Sequence, residues 1–500
     1  MHGLRTVLKA GLLAAALAGA PAARAGVAPP GRHEKWFQVR ADGFLVCSNA
    51  GKDKTAEIAE QLLRFRSALS HASRLTIRSP LPITVYAFKS RSSFAPYRDL
   101  ASGRSAENVN GVFIHAADGP LIVFNASGRW AAEHTVYHEL VHSFLANSGR
   151  RLPLWFAEGL SEFYAGFADV KGQIRVGLPL AWAGFEKKHR WQSLREVLAA
   201  VPTSPIYTDP ERSVAFYAES WMMVHYLLAD APRRSGQLTT YLDQVTAGRA
   251  PVEAFASAFG STPEEFEREL REHMSGAMLR VLAMSASVIG PVDAGEPLAM
   301  PRDEVLARLG YLLLRASSQG LPSAERLLTE ALRSNPGNVG ALTGLGAVRE
   351  AQGLSDEAET LYRDALASEP DDPRPYLNAA GAPLRRLEVA ASRRPGDAAL
   401  SRSLLRRAAS LCPAHPDIWD ALGRTWILAP EGDLTPGIEA FERCLALAPD
   451  RFGAARDLVV LLVEAGQPER ARAVSDRFLG SCPYPEIAAQ ARAALRAAPR

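Results

Sequence analysis

The chain lacks several signatures of enzymes and binding proteins, and each absence excludes something. There is no G-x-S-x-G segment, which rules out a serine nucleophile on a strand-to-helix elbow. There is no P-loop, so phosphates have no glycine-rich cradle; Gly344-Leu345-Gly346 is only G-x-G and falls inside a repeat, where it reads as a packing feature. Cysteine is scarce. The 500 residues hold 4, at Cys47, Cys412, Cys444 and Cys482, and none has metal-ligand spacing. An oxidising compartment permits disulfides among them, with three possible connectivities, and Cys47 reads as a buried thiol in a strand. An excess of one charge is also missing. The chain has 57 Lys and Arg against 54 Asp and Glu, and Arg5, Lys9 and Arg24 all lie in the N-terminal segment. The remainder is balanced and carries no global footprint for nucleic acid.

Long apolar runs are absent too. The longest, Ala10 to Ala20, follows the basic Arg5 and Lys9 and precedes Ala23-Arg24-Ala25. It falls short of the roughly 20 residues a spanning helix needs. The arrangement predicts a signal peptide over residues 1–25, cleaved near Ala25, no membrane span, and an exported, periplasmic or secreted product. Asn125-Ala126-Ser127 is a chance-level glycosylation triplet and carries no weight.

What is present centres on His138-Glu139-Leu140-Val141-His142. Residues four apart share a helix face, so His138 and His142 can offer two imidazoles to one metal ion. The uncharged flanks Thr135-Val136-Tyr137 and Ser143-Phe144-Leu145 suit a helix with a dry inner face. The ligand types point to one Zn2+, with Glu139 placed to act as general base on a metal-bound water. Asn147-Ser148-Gly149 ends that helix, and Pro153 starts another carrying Trp155, Phe156, Glu158, Gly159, Leu160, Ser161 and Glu162.

H-E-x-x-H followed by Trp155-x-x-Glu158-Gly159-x-Ser161 resembles the gluzincin metallopeptidases, and most of all the peptidase MA-like family. The resemblance implies that Glu158 is the third zinc ligand. Gly159 would let its helix pack close against the H-E-x-x-H helix. Glu162, one turn on, is the competing ligand and otherwise a carboxylate behind the site or on the surface. A later segment, Tyr217-Ala218-Glu219-Ser220-Trp221 through Leu227, looks like another helix of that family. It offers Tyr217 as a stabiliser of an oxyanion, ahead of His225. His134, a turn before His138, reads as a flanking or capping residue.

Around these motifs the pattern predicts an α+β N-terminal metallopeptidase domain over 26–290, a sheet followed by a mostly helical lobe. Strands are expected at Trp36–Val39 and Phe44–Cys47 across Asp42-Gly43, at Ile83–Phe88, and as a hairpin of Gly111–Ile114 with Leu121–Phe124. A helix is expected from Lys54 to His71. An edge strand of this sheet could take an extended peptide by strand addition. A proline-rich linker follows over 291–302.

From residue 303 the chain repeats. Pro336, Pro370, Pro413, Pro449 and Pro483 close successive units about 34 residues apart, with one longer interval near Gly381 to Gly396. Leu342, Leu345, Gly346, Ala358, Tyr362 and Ala365 fill one unit; Trp419, Leu422, Gly423 and Phe441 fill another. These units resemble tetratricopeptide (TPR) repeats. The resemblance implies an all-α solenoid over 303–484, of about five units with one degenerate, and a C-terminal helix or tail over 485–500. Its concave face would hold a protein partner, or the array would serve as a rigid spacer.

The main expectation is thus an exported zinc metallopeptidase acting on a peptide or protein substrate recruited by the repeats. Two rivals stand beside it. One is a non-cleaving peptide-binding scaffold on a peptidase-like domain and repeats. The other is a hydrolase of a non-peptide amide.

Overall fold

Alternation and turn chemistry set the first sheet. In the computed structural model, which describes residues 26–497 apart from 74–76, 78, 103–108, 117, 128–132, 171, 179–190, 231–233, 277–279, 390–393 and 481, β1 (Phe37–Ala41) and β2 (Phe44–Ser48) form an antiparallel hairpin. Gly43 closes the turn at φ 78°, a left-handed conformation that glycine adopts without a Cβ clash. The expected signal peptide lies outside the described residues. The helix Lys52–Ser73 then returns the chain so that β3 (Ile83–Phe88) pairs parallel to β2. β4 (Gly111–Ile114) and β5 (Leu121–Asn125) make the second hairpin, and β5 pairs parallel to β3. All of these elements were legible in the sequence.

Contacts divide the chain into two compact units interleaved in sequence: Met1–Gln61, Pro82–Ala132 and Asp293–Ala382 in the first, and Leu62–Leu81, Glu133–Val292 and Pro383–Arg500 in the second. In the first unit the strand order is β4-β5-β3-β2-β1, and a two-residue strand, Leu298–Ala299, is added beside β1. The proline-rich segment expected as a linker therefore carries a paired strand. β2 and β3 are buried at every position, as a central strand covered on both faces should be.

One apolar cluster in this unit joins Leu45, Tyr86, Phe88 and Val123 of the sheet to Leu306, Leu309, Leu313, Leu327, Leu345 and Val348 of the repeat helices. Those helices run Arg302–Ala316, Leu321–Ser334, Val339–Ala351 and Ser355–Leu366, and the next begins at Pro373. Cys47 is buried here as a free thiol, and burial pushes its pKa up to about 11. Cys412, Cys444 and Cys482 also form no disulfide among the described residues.

The second unit is mostly helical. It contains a small antiparallel sheet that periodicity did not reveal, of Ala168–Val170, Gln173–Val176 and Leu282–Ser285. Ala168–Val170 is too short to impose a period, and Leu282–Ser285 is a strand only through its pairing with Gln173–Val176, far earlier in the chain. Its repeat helices are Asp397–Leu411, Pro416–Leu428, Thr435–Leu447, Phe452–Glu464 and Pro468–Val474, with a last helix at Pro485–Ala497. The helix pairs and the prolines that close them follow the expected spacing.

Glycines mark where helices meet. A Cβ on Gly346 would lie 2.6 Å from the Tyr362 ring, and one on Gly423 2.8 Å from Phe441, so the packing role expected of the repeat glycines holds. Gly159 needs a correction. A Cβ there would lie 2.3 Å from the Ser220 carbonyl oxygen. The close approach is thus to the helix Pro210–His225, not to the H-E-x-x-H helix.

This packing makes two outcomes measurable. Gly159→Ala should destabilise the fold by about 1–3 kcal/mol or more, because a backbone carbonyl cannot step aside as a side chain can; chemical denaturation measures it. The second concerns Glu219, which is 3 % exposed on the helix Pro210–His225 and accepts a 2.7 Å hydrogen bond from the Gln192 amide. Burial raises its carboxyl from 4.5 to about 8. The folded state therefore holds this proton more tightly than the unfolded chain, and wild-type stability should fall as pH rises from about 4.5 to about 8. Glu219→Gln should flatten that decline by on the order of 2–4 kcal/mol, read from melting curves across the range.

Candidate metal centre

The second unit assembles the polar cluster. The helix Glu133–Leu145 carries His134, His138, Glu139 and His142. Pro153 sits at the N-cap of the next helix, Leu154–Ala165, with extended backbone at φ −60° and ψ 145°. That helix carries Glu158 and Glu162, one turn apart and both buried. Its other face is anchored by Trp155, whose indole donates to Tyr241 Oη at 3.0 Å. Phe65 stacks on Tyr137 at 4.2 Å between ring centroids, which fixes the back of the histidine helix.

Three donor atoms converge. His142 Nε2 lies 3.0 Å from His138 Nε2 and 3.1 Å from Glu158 Oε2, and His138 Nε2 lies 3.5 Å from Glu158 Oε2. Four ligands at about 2.05 Å on the corners of a tetrahedron stand about 3.3 Å apart, so these separations fit a zinc ion. His138, His142 and Glu158 are the group of potential ligands found among the described residues.

The remaining contacts orient that set. His138 Nδ1 lies 3.1 Å from Glu162 Oε1, an ion-pair distance, and Nε2 faces the other donors. His134 Nε2 is 3.4 Å from Glu162 Oε2, so His134 flanks the cluster through this carboxylate. Tyr207 donates to Glu158 Oε1 at 2.9 Å. Sequence reasoning missed Tyr207, since nothing in Pro205-Ile206-Tyr207-Thr208 marks it. The Tyr217 ring lies 6.4 Å from the His138 ring and 6.0 Å from the Tyr207 ring. It borders the cluster. Glu139 is half-buried on the histidine helix, and its charge is among those felt by the Tyr207 hydroxyl. His225 is elsewhere, tilted against Trp221 with Nε2 at 2.9 Å from the Arg280 carbonyl.

The electrostatics are those of a tightly held polar knot. Burial alone would lower the His138 pKa, but Glu158 and Glu162 outweigh it and hold it at about 10. Burial would raise Glu158, yet His142 and His138 pull it far below the usual carboxylate range. Glu162 is likewise drawn down to about 2 by His134 and His138. Burial and the Glu158 charge push the Tyr207 and Tyr217 hydroxyls well above their ordinary values. Two carboxylates and two imidazoles taken from water cost several kcal/mol, offset only by mutual pairing or a bound cation.

The tetratricopeptide repeat family model matches residues 321–380. Cellulose synthase operon protein C of Xanthomonas axonopodis pv. citri (strain 306) is 28% identical over 316 residues, which are 61% of this chain and 19% of that protein. The chain thus spans about a fifth of the length of this relative. TTC0263, a thermophilic TPR protein of Thermus thermophilus, is 21% identical with a TM-score of 0.29, covering 39% of this chain and 99% of that one. PilF of Pseudomonas aeruginosa is 20% identical with a TM-score of 0.31, covering 39% and 90%.

The chain carries tetratricopeptide repeats, and these imply protein–protein interaction. The expectation of a metallopeptidase is overturned: the family model that matches is the tetratricopeptide repeat, and the curated relative is a cellulose synthase operon protein, neither of them a peptidase. The physical reason the motif misled is that it brings two histidines and a glutamate together, and such convergence is compatible with a bound cation. It does not by itself specify turnover. Among the described residues no helix is long and apolar enough to cross a membrane.

Proposed function

We propose that this chain is a non-cleaving protein-interaction scaffold, in which tetratricopeptide repeats bind a partner polypeptide and the α+β part is a peptidase-like domain fastened by one zinc ion. The observation that carries the reading is the repeat array itself, matched at 321–380 and continued by helix pairs to Val474. The partly matching cellulose synthase operon protein supports a scaffold role as well. Export by the N-terminal segment, with cleavage near Ala25, belongs to the same proposal.

In this reading His138, His142 and Glu158 hold the zinc, and Glu162 and Tyr207 orient the first and last of them. The ion supplies positive charge between two helices that otherwise bury carboxylates against imidazoles. Glu139 and Tyr217 line the same region and take no chemical step.

A zinc role of this kind has a measurable signature. The chain purified without chelator should hold one zinc, and removal of the zinc should lower its melting temperature. Glu158→Ala or His142→Ala should abolish tight binding in a competition titration with a chromophoric chelator. Glu162→Gln should weaken it about 10–100-fold, as expected of a group that orients a ligand. Equal zinc affinity in wild type and His142→Ala would remove the ion from the proposal.

The scaffold is tested by binding and cleavage together. A library of extended peptides is incubated with the zinc-loaded chain, retained peptides are identified, and all peptides are checked for new termini by mass spectrometry. Saturable retention with no new termini is the expected outcome. Absence of retention, or termini that disappear in Glu139→Gln, would overturn it.

A further inference from the structure

The two helices that carry the histidine cluster are joined by residues 146–153, and whatever fixes this turn also fixes the distance between His142 and Glu158. Its start is tied to the first helix. The Ala146 amide donates to the His142 carbonyl at 2.9 Å, and the Asn147 side chain donates to the Ser143 carbonyl at 2.9 Å. Its end is tied to the second helix, where the Phe156 and Ala157 amides donate to the Pro153 carbonyl at 3.1 Å.

Two other elements of the same unit grip the turn between those ends. The helix Ser235–Thr246 holds one side: Arg150 pairs with Asp243 at 3.1 Å, and the Thr246 hydroxyl donates to the Arg151 carbonyl at 3.2 Å. The C-terminal repeats hold the other. Gly149 has φ 69°, and a Cβ there would lie 3.7 Å from the Ala446 carbonyl oxygen and 3.8 Å from that of Leu447. The Arg151 guanidinium lies 5.1 Å from the centre of the Phe452 ring, which itself meets the Tyr484 ring edge-on. Asp450 is close enough for its charge to act on Arg151.

The helix Ser235–Thr246 is seated on the same repeats. A Cβ on Gly248, just past its end, would lie 2.9 Å from the Arg477 carbonyl oxygen. Its Tyr241 accepts the Trp155 indole from the helix of Glu158. The repeats thus reach that helix by two routes, through the turn and through Tyr241. A metal centre responds sharply to such a link, because its donor distances must hold within about 0.2 Å. His142 and Glu158 stand on separate helices, so a small parting of the two is enough.

We propose that the C-terminal repeats control the zinc affinity of the centre formed by His138, His142 and Glu158, acting through residues 149–151. Seated on the turn, the repeats keep the two helices at ligand spacing. Drawn away from Arg151, they let the helices part and weaken the hold on the ion. Linkage makes the effect reciprocal: the repeats that touch the turn are steadied when the ion is bound. This coupling rests on the zinc reading, and its test separates the two.

The full chain is used throughout. Zinc affinity is measured by chelator competition in wild type, Arg151→Met and Phe452→Ala, neither of which replaces a zinc ligand. Each variant should bind zinc about three- to tenfold more weakly, the range a contact between a cation and a ring can supply. The double variant should bind no more weakly than the weaker single one, because both remove the same contact. Hydrogen exchange of wild type gives a second readout that needs no variant. Zinc should slow exchange in residues 146–153 and in the helix Phe452–Glu464 more than in Asp397–Leu411, three helices earlier in the array. Unchanged zinc affinity in Arg151→Met, or equal slowing of those two helices, would overturn the coupling and leave the zinc centre standing. Failure of wild type to bind zinc would overturn both.

Discussion

The first unit depends on one apolar core held in common by a sheet and a set of repeat helices. A tetratricopeptide helix pair cannot bury its apolar face alone and ordinarily finds cover in the next pair. Here Leu306, Leu309, Leu313 and Val348 find part of that cover in Leu45, Tyr86, Phe88 and Val123. The polar fittings at this seam are specific. Tyr86 Oη donates to the Arg308 carbonyl at 3.1 Å, and Arg374 spans two backbone carbonyls and a carboxylate. The backbone groups of the β4–β5 connection and of the residues before β3 are thereby satisfied by an arginine of the repeats. The sheet and the repeat helices up to Ala382 belong to one compact unit.

The histidine cluster obeys a different constraint. Its groups are brought together by two helices joined through a short turn, and the cost in desolvation is offset by pairing each imidazole with a carboxylate. Glu162 touches both His134 and His138, and Glu158 touches His138, His142 and Tyr207. Any change of one member leaves a charge without its counterpart.

How far the sequence foretold this can be judged element by element. Asp42-Gly43, the alternation of Ile83–Phe88 and the prolines of the repeats each act through local backbone chemistry, so they were readable. Spacing along one helix and the tryptophan-glutamate-glycine sequence brought His138, His142 and Glu158 to one point. Tyr207 and the partner helix of Gly159 were not readable, because both are set by tertiary packing across dozens of residues. Leu298–Ala299 escaped for a related reason: two residues among prolines carry no period, and only β1 makes them a strand. The largest misreading was functional. A motif that brings metal-ligand side-chain types together was extended to the reaction that such motifs often perform, and nothing in the spacing licensed that second step.

The pairing of Phe37 with Ala299 and the hydrogen bond from Val27 to Ser323 have a temporal consequence. Ribosomes deliver these partners far apart in time. The first unit cannot close its edge until residue 299 has appeared, nor complete its core until Val348 has. Contacts so distant along the chain fold slowly, since the loop between them must be ordered before they form. Meanwhile β2 and β3, apolar on both faces, stay exposed and open to mispairing. A nascent chain of this kind needs protection from aggregation until Val348 has emerged.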